Sequence, residues 1–392
     1  MTKISRRGFF KKGVAGAGAI AISPVMIPAP QQTRDLIYRT LGRTGIRLPV
    51  VSFGVMRSDN PNLCQAAYDR GMRLFDTANG YLGGKSEVML GNFFRNYRRD
   101  SFIISTKVRT SRDRQGRPDN QATSEKFMEF FNVSMSRLKM DYVDILYVHD
   151  VSNPEYLEYK PVIDTVKKLK QEGRIKYIGF STHSNEPEVI NAAADQDVWD
   201  VILTQYNYRL AYVPELNAAI RKAASAGIGI VAMKTLAGGF LDRERTKPVN
   251  ATAALKWVLQ NPDVHTTIPG MTAFEQVDMN AGIMEDFTLS EQERSELTAS
   301  LDDPGLICSG CSHCIADCVK NLPVRDIMRA YMYAYGYGNP AMAKNLLAEL
   351  GTGENPCDGC DICNVSCFRN FDLKEKIADI SRLHSVPSDF LA

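Results

Sequence analysis

Val143-Asp144-Ile145-Leu146-Tyr147-Val148-His149, then Pro161–Gln171, then Tyr177-Ile178-Gly179-Phe180-Ser181 is the passage that decides the fold. An apolar, β-rich run is followed by a helical pattern that opens on proline, a residue suited to the first turn, and then by a second β-rich run. Working outward, the same rhythm extends from about residue 50 to 282. Earlier strands are predicted at Val50–Gly54, Arg73–Thr77 and Phe102–Val108, and later ones at Val201–Tyr206, Gly229–Lys234 and Thr266–Pro269. Each precedes a helical stretch, and Pro214–Ala226 again opens on proline. Eight βα units in a span of this size predict an α/β fold, a (β/α)8 TIM barrel. A doubly wound sheet would normally place a glycine-rich turn after its first strand; Gly54-Val55-Met56-Arg57 is not one.

Two flanks complete the frame. Ile37–Arg39 and Arg47–Val50 surround Gly42-Arg43-Thr44-Gly45 and predict a β-hairpin that plugs the bottom of the barrel. The charged stretch Thr110–Asn120 reads as an exposed loop. After Asp302-Asp303-Pro304-Gly305 the alternation stops, and helices are expected over 323–335, 339–350 and 372–383. The expected organisation is a leader over 1–32, a barrel over 36–300 and a small helical domain over 301–392.

That last domain carries two copies of one cysteine ladder. Cys308, Cys311, Cys314 and Cys318 form C-x2-C-x2-C-x3-C, and Cys357, Cys360, Cys363 and Cys367 repeat it, using eight of the nine cysteines. A thiolate tetrad at this spacing is a ligand set for a [4Fe–4S] cluster, so a ferredoxin-like domain with two such clusters is expected. Disulfides suit three thiols within seven residues poorly. Zinc usually takes two pairs separated by a long loop. In two-cluster ferredoxins the fourth cysteine of each ladder serves the other cluster and is usually followed by proline; here Val319 and Phe368 follow, which leaves the wiring open. Cys64, alone in Leu63-Cys64-Gln65-Ala66-Ala67, reads as a small buried hydrophobe.

At the other end, Ser5-Arg6-Arg7-Gly8-Phe9-Phe10-Lys11 precedes a mild apolar run from Gly13 to Pro28. It resembles a twin-arginine export signal, which implies the twin-arginine machinery as a partner and a periplasmic or otherwise extracytoplasmic destination. The run falls short of the about 20 apolar residues of a confident span. Ala29-Pro30 is a poor cleavage site, so an uncleaved anchor stays open. Exported cysteines usually become disulfides, but this route carries proteins already folded around their cofactors. Removing the five leader cations leaves 42 Lys and Arg against 45 Asp and Glu, a formal −3. Such a near-neutral surface has no field for nucleic acid.

Active sites of such barrels lie at the carboxyl ends of the strands. There the sequence puts Asp76, Tyr81 in the loop just beyond it, Lys107 and His149. The surrounding text, Phe75-Asp76-Thr77-Ala78 with Tyr81 and Ser86-Glu87, Ser105-Thr106-Lys107 and Tyr147-Val148-His149, resembles the aldo-keto reductases, as does Tyr38–Gly45. The resemblance covers roughly 36–285, and fused iron–sulfur members are known. It implies an oxidoreductase moving hydride between a nicotinamide and a small carbonyl or alcohol. Tyr81 would be the acid or base, Lys107 would lower its pKa, Asp76 would hold Lys107, and His149 would orient the substrate oxygen.

The resemblance also implies cofactor contacts. Ser181 and Gln205 fall where the family grips the carboxamide, with Thr182 in place of the usual asparagine. Met233 stands near the ring-stacking position. Lys234, Leu236 and Gly238 belong to the loop over the pyrophosphate. Gly270, Met271, Gln276 and Asn280 lie in the closing segment. Gly270 and Gln276 replace the lysine and arginine that grip the 2′-phosphate of NADP, which favours NAD over NADP. The loops 150–159 and 234–247 shape the substrate pocket without a recognisable selector. Two functions follow: an exported reductase or dehydrogenase whose clusters exchange electrons with a redox partner protein, or a redox-sensing or electron-carrying module with the barrel as a binding scaffold. Clusters that only staple the helical domain are a third reading.

Overall fold

The hairpin comes first, and packing explains its place. β1 (Tyr38–Thr40) and β2 (Arg47–Pro49) pair antiparallel. Leu41 and Leu48, both fully buried, join Leu74, Ile145, Tyr147, Val201, Leu203 and Val231 in one apolar cluster inside the barrel. The approach is close: a Cβ on Gly229 would lie 2.6 Å from the Leu41 side chain, so only glycine fits beneath the plug.

The computed structural model describes residues 35–391 apart from 114, 312 and 361, and nothing of the side chain of Ala316. Residues 1–32, where a leader was expected, lie outside the described residues. Eight parallel strands follow the hairpin in sequential order: β3 (Phe53–Gly54), β4 (Leu74–Asp76), β5 (Ile103–Val108), β6 (Val143–Val148), β7 (Ile175–Thr182), β8 (Val201–Gln205), β9 (Gly229–Met233) and β10 (Thr266–Thr267). Bridges Val51↔Thr267 and Gly54↔Gly270 close the ring. The expected (β/α)8 barrel is therefore present. The first and last strands are shorter than predicted. At that seam pairing runs through single bridges and bonds such as Ser52 N to Thr267 O (2.7 Å) rather than a full ladder.

Amphipathic helices wrap the ring: α1 (Pro61–Asp69), α2 (Lys85–Phe93), α3 (Ser124–Leu138), α4 (Lys160–Gln171), α5 (Glu186–Ala194), α6 (Val213–Ser225), α7 (Ala251–Leu259) and α8 (Phe274–Glu285). Asn60, Thr123 and Asn250 cap three of them with side-chain oxygens. Glu87, fully buried on α2, accepts from Thr106 Oγ1 (2.7 Å) and pairs with Arg137 of α3 (3.2 Å). It fixes β5, and with it Lys107, against the outer layer. Cys64 is fully buried, its thiol pushed up to about 12 by burial.

After α9 (Glu291–Ala299) come α10 (His313–Ala316), α11 (Val324–Tyr331), a π turn over Met332–Gly336, α12 (Pro340–Leu350) and α13 (Leu373–Ser381). The helical tail matches the pattern read from sequence. Its apolar core is continuous with the barrel's flank: Val324, Ile327, Met328, Leu347 and Ile377 cluster with Tyr208, Ala253 and Ala254. Arg209 fastens the connection, donating to the carbonyls of Ser300 (2.7 Å), Asp303 (2.5 Å) and Pro304 (3.1 Å). No helix among the described residues is long and apolar enough to cross a membrane.

Candidate active site

Side chains two apart on a strand share a face, so Ser105 and Lys107 of β5 both point into the barrel beside Asp76 of β4. Lys107 Nζ donates to Asp76 Oδ2 (2.5 Å) and to the Thr77 carbonyl (2.7 Å), and Ser105 Oγ donates to Asp76 Oδ1 (2.7 Å). Tyr81 presents its ring 4.9 Å from Lys107 Nζ, and the His149 ring lies 6.1 Å away at 82°. Asp76, Tyr81, Lys107 and His149 thus converge at one opening.

The electrostatics correct one expectation. The Tyr81 phenol is not lowered on balance. Burial pushes that phenol well above its ordinary value, and Asp76 and Tyr333 push the same way. The Lys107 ammonium is already neutralised by the carboxylate 2.5 Å away. Burial, then Arg109 and Lys107, hold the His149 imidazole well below its usual range, so it is neutral. Tyr81 is a phenol carrying its proton, next to a neutral ring.

A second charged centre adjoins the first, and sequence reasoning missed it. Asp150, almost fully buried and left-handed in its backbone (φ 65°), follows His149 directly. Arg112 Nη2 lies 2.5 Å from its Oδ2, Arg329 Nη1 3.3 Å from its Oδ1 and His183 Nδ1 2.7 Å from the same oxygen; Arg109 also pairs with it. Burial would raise this carboxyl, but Arg112, Arg329, His183 and Arg109 hold it well below the carboxylate range. The stretch Thr110–Asn120, expected to be an exposed loop, therefore turns partly inward: Thr110 is buried and Arg112 is drawn onto Asp150. Arg109 continues the face of Ser105 and Lys107, a period-2 signal that was available. Arg329 comes from α11, 179 residues from Asp150, and carries no sequence signal of its position.

The expected cofactor residues divide. Ser181 is buried at the end of β7, its Oγ accepting from Asp150 N (2.9 Å). Gln205 and Lys234 line a cavity at the mouth with His183, Ser184, Cys308 and Arg329. Met233 is half-buried at the end of β9, with Leu236 and Gly238 in the loop beyond. Gly270 is exposed at the closing bridge, and Gln276 accepts from Thr272 N (2.7 Å). Met271 is fully buried in the main apolar core. Asn280 keeps a buried Oδ1 with no partner, and so does the Ser184 hydroxyl. Such orphaned atoms fit an absent polar ligand. The tail crosses this rim: Lys234 Nζ donates to Tyr333 Oη (3.0 Å), and Tyr337 sits with its ring 5.9 Å from Lys234 Nζ and 5.2 Å from the Arg57 guanidinium. Burial would raise the Tyr333 phenol, but Lys234 and Arg329 hold it below its usual value.

The eight ladder cysteines are free thiols. Cys318 lines a second cavity with Cys357, Cys360 and Cys363, walled by Leu373 and Ile377. Cys367 lies close enough to Cys314 for the two to repel as thiolates, and Cys308 has Cys314 and Cys311 as neighbours in the same way. The fourth cysteine of each ladder therefore faces the other ladder's first three. Among the described residues no three His, Cys, Asp or Glu side chains converge on the point a single ion would occupy.

The sequence profile of the Aldo/keto reductase family matches residues 53–253, half of the chain. The chain belongs to the aldo/keto reductase family. An aldo-keto reductase of Alternaria alternata is 28% identical over 262 residues, 56% of this chain and 70% of that protein. The L-galactose dehydrogenase of Arabidopsis thaliana is 26% identical over 67% of this chain and 94% of its own length. Among solved structures, an aldo-keto reductase of Bacillus halodurans in its holo form superposes with a TM-score of 0.55 at 23% identity, covering 68% of this chain and 96% of that one; it shares the fold. The family makes this chain an oxidoreductase, and its members typically depend on NAD(P). Asp76, Tyr81, Lys107, His149, Ser181, Gln205 and Lys234 all fall inside the matched residues, while both cysteine ladders lie beyond them.

Proposed function

We propose that this aldo/keto reductase interconverts a small carbonyl compound and its alcohol at Tyr81, Lys107, Asp76 and His149, and that its tail holds two [4Fe–4S] clusters for electron transfer. The convergence of those four side chains at one opening carries the reading. Tyr81, proton-bearing because burial and Asp76 disfavour its phenolate, donates that proton to the substrate oxygen in reduction and recovers it in oxidation. The neutral His149 imidazole hydrogen-bonds the same oxygen and orients it. The Lys107–Asp76 pair sets its ammonium over the Tyr81 ring and holds that ring in place.

Ser181, Gln205, Met233 and Lys234 would hold the nicotinamide end of a dinucleotide, Leu236 and Gly238 its pyrophosphate, and Gly270, Gln276 and Asn280 its far end. That cofactor supplies or accepts hydride at carbon. The absence of a cation at Gly270 and Gln276 supports NAD over NADP. One cluster would be held by Cys308, Cys311, Cys314 and Cys367, the other by Cys318, Cys357, Cys360 and Cys363; they supply single-electron chemistry towards a redox partner protein. The leader motif Ser5–Lys11 supports export through the twin-arginine machinery to an extracytoplasmic compartment, with the clusters already in place.

Tyr81→Phe is expected to lower kcat for carbonyl turnover by at least ~10²-fold, the scale of general-acid catalysis, with iron and sulfide contents unchanged. Turnover retained in this variant would overturn the reading. The second reading, a redox sensor or carrier with the barrel as scaffold, gains from Tyr333 and Tyr337 lying across the rim. Under it, Tyr81→Phe leaves the redox behaviour unchanged and wild-type protein shows no carbonyl turnover.

A further inference from the structure

Just after β9 the chain turns through Lys234 in the left-handed region (φ 55°), a conformation that is costly for a residue with a side chain and persists where the surroundings enforce it. Lys234 lines the mouth cavity with Gln205 and Ser184, and Ser184, 7% exposed, keeps a buried hydroxyl with no partner there. Among the described residues no carboxylate pairs with the Lys234 ammonium. Its hydrogen bond goes to the Tyr333 hydroxyl (3.0 Å), and it lies 4.7 Å from the centre of that ring.

Tyr333 belongs to the tail. It stands in the π turn over Met332–Gly336, closed by Tyr337 N donating to the Met332 carbonyl (3.0 Å), an irregularity frequent at functional sites. The turn is seated on the loop after β9: a Cβ on Gly336 would come 2.9 Å from the Gly238 carbonyl oxygen, so glycine permits the approach. Tyr333 is 8% exposed. It lies close enough to Tyr81 for its charge to act on that phenol, and Lys234 close enough to act on Lys107. The pair therefore faces the tetrad across the mouth. Both members keep donors for a ligand. An ammonium has three N–H groups, of which Tyr333 takes one, and the Tyr333 O–H meets no acceptor among the described residues. Burial raises the Tyr333 phenol, and Lys234 and Arg329 overcome it. Asp150, which acts the other way, is already held by Arg109, Arg112 and Arg329. A field that favours negative charge on that oxygen also favours an anion brought against it.

We propose that Lys234 and Tyr333 form a notch for an oxyanion, and that its occupant is a carboxylate carried by the substrate beside the carbonyl that Tyr81 serves. Two donors side by side match the two oxygens of a carboxylate. The inference deepens the reductase reading above and rests on it for the carbonyl. The substrate class becomes a short oxo acid and the matching hydroxy acid. The notch binds and orients the acid group, and the proton transfer stays at Tyr81.

The test is isothermal titration of the full-length, anaerobically isolated protein with oxamate, a non-reducible oxo-acid analogue, with and without NADH. Lys234→Met is expected to weaken oxamate binding at least ~10-fold, the scale of a lost hydrogen bond to a charged group, and Tyr333→Phe roughly 5-fold. Lys234→Arg, which restores the charge, is expected to recover most of the affinity and so separates a charge effect from misfolding. Glyoxylate and glycolaldehyde share an aldehyde and differ in the group beside it, carboxylate against hydroxymethyl. The ratio of their kcat/KM values is expected to fall by the same factors in the two variants, through KM. The notch is overturned if wild-type protein binds no oxamate in either condition, or if neither substitution changes its affinity. It is also overturned if Lys234→Met weakens NADH binding and leaves oxamate at its wild-type affinity, which would assign the ammonium to a phosphate of the dinucleotide. Protein that binds oxamate through Lys234 and Tyr333 but reduces neither aldehyde would keep the notch and remove the reductase reading.

Discussion

Two carboxylates are buried at the same rim and are satisfied in opposite ways. Asp76 meets one ammonium, from the neighbouring strand, and a serine hydroxyl on that same strand. Asp150 gathers three guanidinium groups and an imidazole from the β5 loop, the β7 loop and the tail. The first arrangement is a closed local pair beside Tyr81 and His149. The second is a hub that joins separate parts of the chain, and its left-handed backbone is the kind of strain that persists only where the surroundings enforce it. The first pair sits at the opening where the four side chains converge, while the second fastens the cysteine-bearing tail beside it.

The largest expected effect breaks the hub. Asp150→Asn keeps the shape but takes one carboxylate from three cations, leaving Arg109 its pair with Glu349 and Arg329 its pair with Asp326. Removing one partner of a buried ion pair costs about 3–5 kcal/mol, and here the loss should appear as release of the tail. Hydrogen exchange over 324–350 should accelerate sharply while that of β5 and β6 changes little. Asp76→Asn should do the reverse, abolishing turnover with the tail still protected. Equal loss of tail protection in both variants would end the distinction between the two sites. Arg329→Met should reproduce part of the Asp150→Asn effect, and the double variant should cost less than the two singly, because they share one interaction.

That contrast also marks what the sequence could reveal. Strand alternation and helix starts made the barrel legible, and the tetrad was legible because each member ends or follows a strand. The ladder spacing pointed to clusters, but which thiol faces which ladder depended on the tail's turns. Asp150, His183 and Arg329 had no pattern to betray them, since their meeting is created by packing α11 on the rim. The Tyr81 phenol was misjudged for a related reason: sequence shows that Lys107 is near, not that Asp76 has already taken its charge.

A smaller effect is set by pH. Burial, ahead of the charges around it, brings the His183 ring down to about 3, against about 6.5 in an unfolded chain. Between those values the unfolded chain binds the extra proton, so stability rises with pH and falls as acid is added. Asp150, held below the carboxylate range, adds a loss of the same sign lower down, as pH drops through its folded value. The tail should therefore be fully attached at neutral pH and loosen progressively below about pH 6.5. Asp76 behaves differently: burial raises its carboxyl, so the folded chain takes up that proton more readily than the unfolded one, and acid costs no stability through this group. His183→Gln should flatten the upper part of the acid limb of tail hydrogen exchange. An unchanged limb would assign it to other groups.

The smallest effect concerns the rim between the two sites. The Tyr337 ring stacks on Tyr333 at 5.8 Å and lies between Lys234 and Arg57, whose Nη2 also donates to the Tyr337 carbonyl (2.6 Å). Tyr337→Leu keeps the carbonyl contact and most of the apolar volume but removes the π-face both cations use. Cation–π contacts are worth about 0.5–1 kcal/mol at partly exposed sites. Loosening the tail there by that amount should change dinucleotide affinity by roughly 2–5-fold. The direction is informative. If the tail lies over the cofactor groove and must shift to admit the dinucleotide, the variant binds NADH more tightly, as fluorescence titration would read. If Tyr337 instead forms part of the groove, binding weakens by a similar factor. Tighter binding would mean that the tail which brings the cysteines to the barrel mouth also limits access to it.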